Sequence, residues 1–200
     1  MDNRRSSGAC ARNREPIANV LDAVLPSEGL VLEVGCGSGE HALFFSQRYP
    51  GLRWQPADFD PVARASAAAW KAHEGGDNML EPLEIDASSE VWPVERADAV
   101  FSANVIHISP WEVGLGLLSG AARILPTGGV LVIYGPFMVG GQHTAPSNVQ
   151  FDGWLKSQDV RWGVRELETV QAEAASRGLV LEHVVDMPAN NKTLVFRKGG

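Results

Sequence analysis

A glycine-rich turn at residues 32–41 restricts most strongly what this chain can fold into. The turn reads LEVGCGSGEH; it follows an apolar run over 30–34 that is typical of a buried strand, and it leads into a helical pattern over 42–49. Glycine adopts positive φ at no steric cost, so backbone N–H groups and a helix N-terminus can approach a ligand closely there. A strand, a glycine turn and a helix in this order predict a ligand-binding α/β domain.

The rest of the chain alternates between strand-like and helical segments. Apolar runs predict strands over 30–34, 53–57, 80–85, 97–102 and 130–134. Helical patterns lie over 42–49, 62–73 and 111–125, after a first helix whose first turn is expected at Pro16. Strands that alternate with helices predict a single domain over 1–200 with a doubly wound, mostly parallel sheet.

The C-terminal part breaks this alternation. A predicted helix over 165–177 is followed by strands over 179–185 and 193–196. Only residues 186–192 join these strands, and a parallel crossover needs about a dozen residues or more. The last strand should therefore run antiparallel to its predecessor.

Residues 135–165 fit neither the helical nor the strand period. The segment is polar and contains aromatic residues such as Phe137 and Trp154. A long irregular segment in a compact domain is usually functional or disordered, so we expect a lid insertion over a ligand site. Residues 1–25 should form an N-terminal cap segment.

The amino-acid composition restricts the kinds of partner and substrate that we expect for this chain. The chain has 17 Lys and Arg against 24 Asp and Glu, a net charge of −7, so we expect no nucleic acid partner. It has no apolar run near the about 20 residues that cross a bilayer, so we expect no membrane partner. Its two cysteines, Cys10 and Cys36, cannot form a disulfide framework, so we expect a cytoplasmic protein without a metal site. A small-molecule substrate is favoured, with a protein substrate as the alternative.

A nicotinamide cofactor is disfavoured. The dinucleotide fingerprint needs a third glycine or alanine at position 40, where this chain has Glu40, whose carboxylate would face the pyrophosphate. A turn that only reverses the chain is a further alternative. The spacing of Glu33, Gly35, Gly37 and Gly39 between a strand and a helix argues against it.

The acid-x-G-x-G-x-G pattern resembles the first motif of class I S-adenosylmethionine-dependent methyltransferases. Nearly the whole chain resembles the methyltransferase-like 26 family, in the segments CARNREPI, LEVGCGSGEH, DFDP, ANVIHISPW, SNVQFD, WGVRE and DMPANNKTLVFRK. The resemblance implies a Rossmann-like, seven-stranded α/β fold with an antiparallel last strand. It also implies S-adenosyl-L-methionine as methyl donor and S-adenosyl-L-homocysteine as product. It names no acceptor, because fold and cofactor do not fix a reaction.

The resemblance also assigns cofactor-binding residues at the carboxyl ends of the predicted strands. The set is Glu33, Gly35, Gly37, Gly39, Asp58, Phe59, Asp86, Ala87 and Asn104. Glu33 and the glycines would form the methionine side, and Asp58 would accept hydrogen bonds from the ribose, with Asp60 as a competitor. Phe59 would lie on the adenine, which Asp86 and Ala87 would bind. Asn104 would bound the methyl-transfer region.

The expected substrate and lid residues come from the chain's N-terminal segment, the 135–165 segment and the last turn. They are Arg12, Asn13, Asn148, Phe151, Trp162, Arg165, Asn190 and Asn191. His107 is the candidate base, since histidine accepts protons near neutral pH, and a satisfied histidine at a helix start is the alternative. We expect in-line methyl transfer to a small molecule. The alternative is a non-catalytic module that binds S-adenosylmethionine and a protein partner.

Overall fold

The computed structural model describes residues 3–200, which fold into strands and helices that alternate through most of the chain. The strands are β1 (Gly29–Val34), β2 (Leu52–Asp58), β3 (Leu83–Glu84), β4 (Ala99–Ala103), β5 (Val130–Gly135), β6 (Phe137–Val139), β7 (Gln142–His143), β8 (Arg165–Glu166), β9 (Leu179–Met187) and β10 (Asn191–Lys198). The helices are α1 (Gly8–Val24), α2 (Glu40–Arg48), α3 (Pro61–Glu74), α4 (Trp111–Ile124), α5 (Pro146–Gln158) and α6 (Leu167–Ala175), with a 3-10 turn at Pro188–Asn190.

Seven strands form the central sheet in the order β3-β2-β1-β4-β5-β10-β9. β10 runs antiparallel to both β5 and β9, and the other neighbours pair in parallel. The prediction of a doubly wound, mostly parallel, seven-stranded sheet with an antiparallel last strand is therefore confirmed. A small second sheet, in the order β7-β6-β8, lies after β5.

The sheet separates two apolar clusters. Val31 and Leu32 are adjacent in β1 and lie in different clusters, because successive side chains of a strand point to opposite faces. The Leu32 cluster includes residues of α4 and α6, such as Leu117, Ile124 and Val170. The Val31 cluster includes residues of α1 and α2, such as Ile17, Leu21 and Phe45. Helices on both faces leave the carboxyl ends of the strands as the open edge.

The first helix begins earlier than Pro16 predicts. Ser7 caps α1 by accepting a hydrogen bond from the backbone N–H of Cys10, and Pro16 lies inside the helix. A proline there removes one backbone hydrogen bond, but the buried side chains of Ile17 and Leu21 hold the helix on the sheet. Residues 1 and 2 of the expected cap segment lie outside the described residues.

The third strand is shorter than the prediction of 80–85. Its two residues pair with the end of β2 at the sheet edge. Pro82 precedes them and has no N–H to donate to a ladder, which limits pairing at this position. The helix predicted over 165–177 also begins later, because Arg165 and Glu166 pair with β6.

The segment over 135–165 is not the irregular loop that its sequence suggests. It contains β6, β7, the helix α5 and the first residue of β8. The buried side chains of α5 are Asn148, Asp152 and Leu155, of which two are polar, so the helix shows no apolar period. Asp152 accepts hydrogen bonds from Lys156 and from the backbone N–H of Val164, at 2.6 and 2.8 Å. A polar anchor replaces the apolar stripe here.

Candidate functional site

Two adjoining cavities open at the carboxyl edge of the sheet. The larger, about 690 Å³, we call the glycine-turn cavity, and its lining includes Gly35, Gly37, Asp58, Asp86, Cys36 and Trp162. The smaller, about 460 Å³, we call the lid cavity, and its lining includes Arg12, Tyr134, Asn148, Phe151, Trp154 and Asn191. Both are lined by Ala9, Asn13, Asn104 and Ile108. These four residues form a shared wall between two pockets of a size that holds small molecules.

The glycine turn forms the floor of the larger cavity. Gly37 has φ +54°, and a Cβ built on it would meet no heavy atom within 4 Å. Gly39 has φ +84°, and a Cβ there would lie 2.5 Å from the Cα of Ala67 on α3. Gly39 therefore lets α2 start against α3, while Gly37 leaves the floor open to a ligand.

Asp58 is fixed at the end of β2 by two backbone donors. Its Oδ2 accepts from the N–H of Gly37 and its Oδ1 from the N–H of Asp60, each at 2.9 Å. Asp60 instead caps α3 by accepting from the N–H of Val62 at 2.9 Å. Of the two carboxylates that the sequence left open, Asp58 lines the cavity and Asp60 serves the helix.

The opposite side of this cavity holds the other expected adenine-side residues. Asp86 uses Oδ1 to accept from the N–H and hydroxyl of Ser88, at 2.9 and 2.6 Å, which leaves Oδ2 for a ligand. Ala87 is buried beside it, and Phe59 is 66% exposed. All three line the glycine-turn cavity.

Glu33 lies behind the turn. It is 1% exposed and accepts a hydrogen bond from Trp54 Nε1 at 2.7 Å. Burial raises the pKa of Glu33 to about 8. Trp54 was not among the residues predicted for the site. Glu33 pairs with Pro56 in the register of β1 and β2, so Trp54 is its diagonal neighbour on the same face.

Asn13, on α1, connects the two cavities. Its Oδ1 is 2.8 Å from Nε2 of His41, and burial lowers the pKa of His41 to about 4, so the neutral ring donates to the amide oxygen. The amide nitrogen of Asn13 then faces the hydroxyl of Tyr134. Burial raises the pKa of Tyr134, and hydrogen bonds from Asn13 and Asn191 oppose the rise.

Tyr134 was also not predicted as a site residue. Its position could have identified it, because it is the last residue of the predicted strand 130–134 and therefore lies at the edge of the sheet where the other site residues lie. The structure places this ring in the lid cavity, 4% exposed.

The expected lid residues separate between the cavities. Asn148 donates to the carbonyl of Asn190 at 2.9 Å, and Asn190 donates to the hydroxyl of Ser147 at 3.1 Å, so α5 is tied to the turn before β10. Phe151 and Asn191 line the lid cavity together with Asn148. Trp162 instead lines the glycine-turn cavity.

The geometry does not support His107 as a base. Its ring is fully buried, lies 4.9 Å from the ring of Phe137, and lines neither cavity. Burial lowers the pKa of His107 to about 3, and its Nδ1 accepts from the backbone N–H of Arg165 at 3.2 Å. The alternative of a satisfied histidine at a helix start is met only in part, since Nδ1 has a partner, Nε2 has none among residues 3–200, and α4 begins only at Trp111.

Arg165 also lies outside both cavities. Its guanidinium donates to the carbonyls of Ile106 and Ser109, at 2.9 and 2.7 Å. It therefore joins the segment after α5 to the loop between β4 and α4. Arg165 was expected among the substrate and lid residues, and the structure places it in contacts between these two segments.

Comparison with known proteins places this site in context. Residues 4–198 match the family described as "Protein of unknown function (DUF938)". The chain belongs to this family. The O-methyltransferase asqD of Emericella nidulans is 26% identical over 118 residues, which are 56% of this chain and 28% of that protein.

Solved structures share the fold. An O-methyltransferase family protein from Burkholderia thailandensis superposes with a TM-score of 0.81 at 18% identity, covering 96% of this chain and 58% of that one. Human N-acetylserotonin methyltransferase in complex with SAM superposes with a TM-score of 0.75 at 20% identity, covering 96% and 53%. The chain thus spans less than two thirds of these proteins. The likeness shows a Rossmann-like methyltransferase fold.

None of the helices within residues 3–200 combines the length and apolar character needed to span a membrane. The same part of the chain brings no three His, Cys, Asp or Glu side chains together as a metal site would require.

Proposed function

We propose that this protein is an S-adenosylmethionine-dependent methyltransferase that acts on a small-molecule acceptor. The observation that carries the proposal is the shared wall of the two cavities. The glycine turn, Asp58 and Asp86 lie on one side of Asn13 and Asn104, and a second pocket lies on the other. Methyl transfer needs a donor pocket and an acceptor pocket that meet, and two cavities with a shared wall support this proposal.

The residues of the glycine-turn cavity fit the donor. Each oxygen of Asp58 accepts one backbone hydrogen bond and keeps a lone pair for a ribose hydroxyl. The free Oδ2 of Asp86 can accept from an adenine amino group. Gly37 leaves room for the methionine portion, and the cavity volume lies in the range of small-molecule sites. When bound, S-adenosylmethionine supplies an activated methyl group on a sulfonium.

The protein's own contribution is to hold and enclose the reactants. Positioning two reactants in line lowers the activation free energy by several kcal/mol, and closing the site excludes water. The lining of the lid cavity contains no carboxylate and no histidine among residues 3–200. Burial raises the pKa of the lining Tyr134, which disfavours the phenolate that would be needed as a base. We therefore propose that the acceptor presents its own lone pair without a protein base.

Two finer assignments belong to this proposal. We place the chain in the methyltransferase-like 26 family. Two of the segments that resemble this family, LEVGCGSGEH and DFDP, form the floor and the Asp58 side of the glycine-turn cavity. We also propose a cytoplasmic location, which the free thiols of Cys10 and Cys36 support, since reduced cysteines are usual in that compartment.

Calorimetry followed by product analysis tests the proposal. S-adenosylhomocysteine should bind, and NAD should not. Incubation with methyl-labelled S-adenosylmethionine and a protein-free cell extract should then give a labelled small molecule. NAD binding without S-adenosylhomocysteine binding would refute the donor assignment. Donor binding with no label transferred to small molecules or proteins would favour the non-catalytic module instead.

A further inference from the structure

The lid cavity differs in charge from the rest of the molecule. The chain carries a net charge of −7, and the glycine-turn cavity is lined by Asp58, Asp86 and the Asp159–Arg161 ion pair. The lid cavity is lined by no carboxylate among residues 3–200, and Arg12 is its one charged lining residue in that part of the chain. A positive pocket in an acidic protein favours an anionic ligand.

The Arg12 guanidinium is available to such a ligand. It lies over the start of α1, where its Nη1 is 3.3 Å from the position of a Cβ built on Gly8. Within the described part of the chain, no carboxylate or carbonyl is hydrogen-bonded to it. By contrast, Arg48 and Arg177 are paired with Asp22 and Glu173. Among residues 3–200, the donors of Arg12 are therefore not taken up by a carboxylate or a carbonyl, and they can reach a ligand in the lid cavity.

Tyr134 adds a second donor to the same pocket. Burial raises the pKa of Tyr134, while hydrogen bonding by Asn13 and Asn191 and the charge of Arg12 oppose the rise. Tyr134 lines the lid cavity, and a phenol O–H there can donate to a ligand.

Two aromatic rings form an apolar part of the lid-cavity lining. The rings of Phe151 and Trp154 on α5 are stacked, with centroids 5.9 Å apart and planes at 18°. Trp154 is 54% exposed, although large aromatic side chains usually bury most of their surface. Both rings line the lid cavity and offer a face to a planar group.

We propose that the methyl acceptor is a small planar carboxylic acid with a second, unprotonated nucleophilic atom, which forms the new bond to the methyl carbon as the sulfonium C–S bond breaks. Its carboxylate would bind the Arg12 guanidinium and the Tyr134 hydroxyl, and its flat body would pack against Phe151 and Trp154. A guanidinium matches a carboxylate with two parallel hydrogen bonds, and a single cation suits a monoanion better than a phosphate dianion. The inference rests on the proposed function, because it takes the lid cavity as the acceptor half of the site.

Calorimetry on the full chain with S-adenosylhomocysteine tests the inference. The probes are benzoate, 4-hydroxybenzoate and 2-naphthoate, each compared with its carboxamide, and phenyl phosphate. At least one acid should bind about tenfold or more tightly than its amide, the size of a charge-assisted hydrogen bond. The Arg12→Gln variant should reduce this ratio to about twofold or less, and Tyr134→Phe should weaken the acid about fivefold. Arg53→Gln, an exposed position near the start of β2, is the matched control and should leave the ratio unchanged.

The outcomes separate this inference from the proposed function. If S-adenosylhomocysteine does not bind, the proposed function fails before any acid is added. If it binds but no acid binds at about 5 mM, or the acids and amides bind equally, the substrate class is wrong while the donor site stands. Tighter binding of phenyl phosphate, or a preference for acids that persists in Arg12→Gln, would also overturn the assignment.

Discussion

Trp54 donates its indole N–H to the carboxylate of Glu33 across 2.7 Å within the interior of the sheet. Burial raises the pKa of Glu33 to about 8 from an ordinary value of 4.5, the Trp54 hydrogen bond opposes the rise, and the nearby charge of Asp58 adds to it. Between these two pH values the folded protein holds a proton that the unfolded chain has released. Protonation of this one side chain therefore links pH to the stability of the site's floor.

The first prediction concerns this link. Because the folded state binds the proton, the Glu33 contribution to stability falls as pH rises from about 4.5 to about 8, by at most about 1.4 kcal/mol per pH unit. Glu33→Gln replaces the titratable carboxyl group with an amide that does not titrate, and it keeps an oxygen that can accept the hydrogen bond from Trp54. The variant should gain stability relative to the wild type as pH rises. Urea denaturation at several pH values between about 5 and 8 measures this, and parallel curves for the two proteins would contradict it.

The second prediction separates two neighbouring carboxylates. Asp58→Asn should weaken S-adenosylhomocysteine binding by roughly 1.5–3 kcal/mol, because hydrogen bonds to a charged acceptor are lost. Asp60→Asn keeps an oxygen that caps α3, so its dissociation constant should stay within about twofold. Calorimetry on both variants decides the point. An unchanged affinity in Asp58→Asn would return the ribose role to Asp60.

The third prediction concerns the shared wall. Asn104 has φ +65° and lines both cavities. Asn104→Gly removes the amide but suits this backbone, whereas Asn104→Ala removes the amide and adds about 1 kcal/mol of strain. Methyl transfer to the natural acceptor should fall about equally in both variants, while thermal stability falls more in Asn104→Ala. Full activity in Asn104→Gly would show that the amide does not orient the reactants.

The lining of the glycine-turn cavity could be predicted in part from the sequence, because it depends on strand ends. Residues that follow parallel strands meet at one edge, which brings the glycine turn, Asp58 and Asp86 together without knowledge of side-chain packing. Tyr134 was also at such an end, but a tyrosine in an apolar strand has the pattern of a core residue. Its role depends on Asn13 and Asn191, which reach it from opposite ends of the chain.

The structure of the segment around α5 was harder to predict from the sequence, because polar side-chain contacts hold it in place. The helix α5 is held through Asp152 and Asn148 rather than through an apolar stripe, so no period marks it. The burial of His107 beneath Phe137 likewise depends on how the loop after β4 turns inward. Local sequence does not encode either arrangement, since both are set by contacts between distant elements.

The last prediction concerns how the lid is fastened. Arg165 donates to the carbonyls of Ile106 and Ser109, and Asp152 accepts from the N–H of Val164, so one end of the lid is tied to the loop after β4 and to α5. Asp152→Asn keeps an oxygen for Val164 but loses the ion pair with Lys156 at 2.6 Å. Arg165→Ala loses both carbonyl contacts, so amide exchange over residues 146–166 should speed up much more in Arg165→Ala than in Asp152→Asn.

Binding of S-adenosylhomocysteine should slow amide exchange in the same segment, whereas Arg165→Ala should speed it up. Asp159, Arg161 and Trp162 line the glycine-turn cavity, so S-adenosylhomocysteine should slow exchange over residues 159–162 in the wild type. In Arg165→Ala this protection should shrink while the dissociation constant changes by less than about threefold, because the donor's hydrogen bonds come from the strand ends. Hydrogen exchange by mass spectrometry and calorimetry measure the two effects separately. If affinity falls in proportion to the lost protection, the lid supplies donor-binding energy itself and does not merely cover the site.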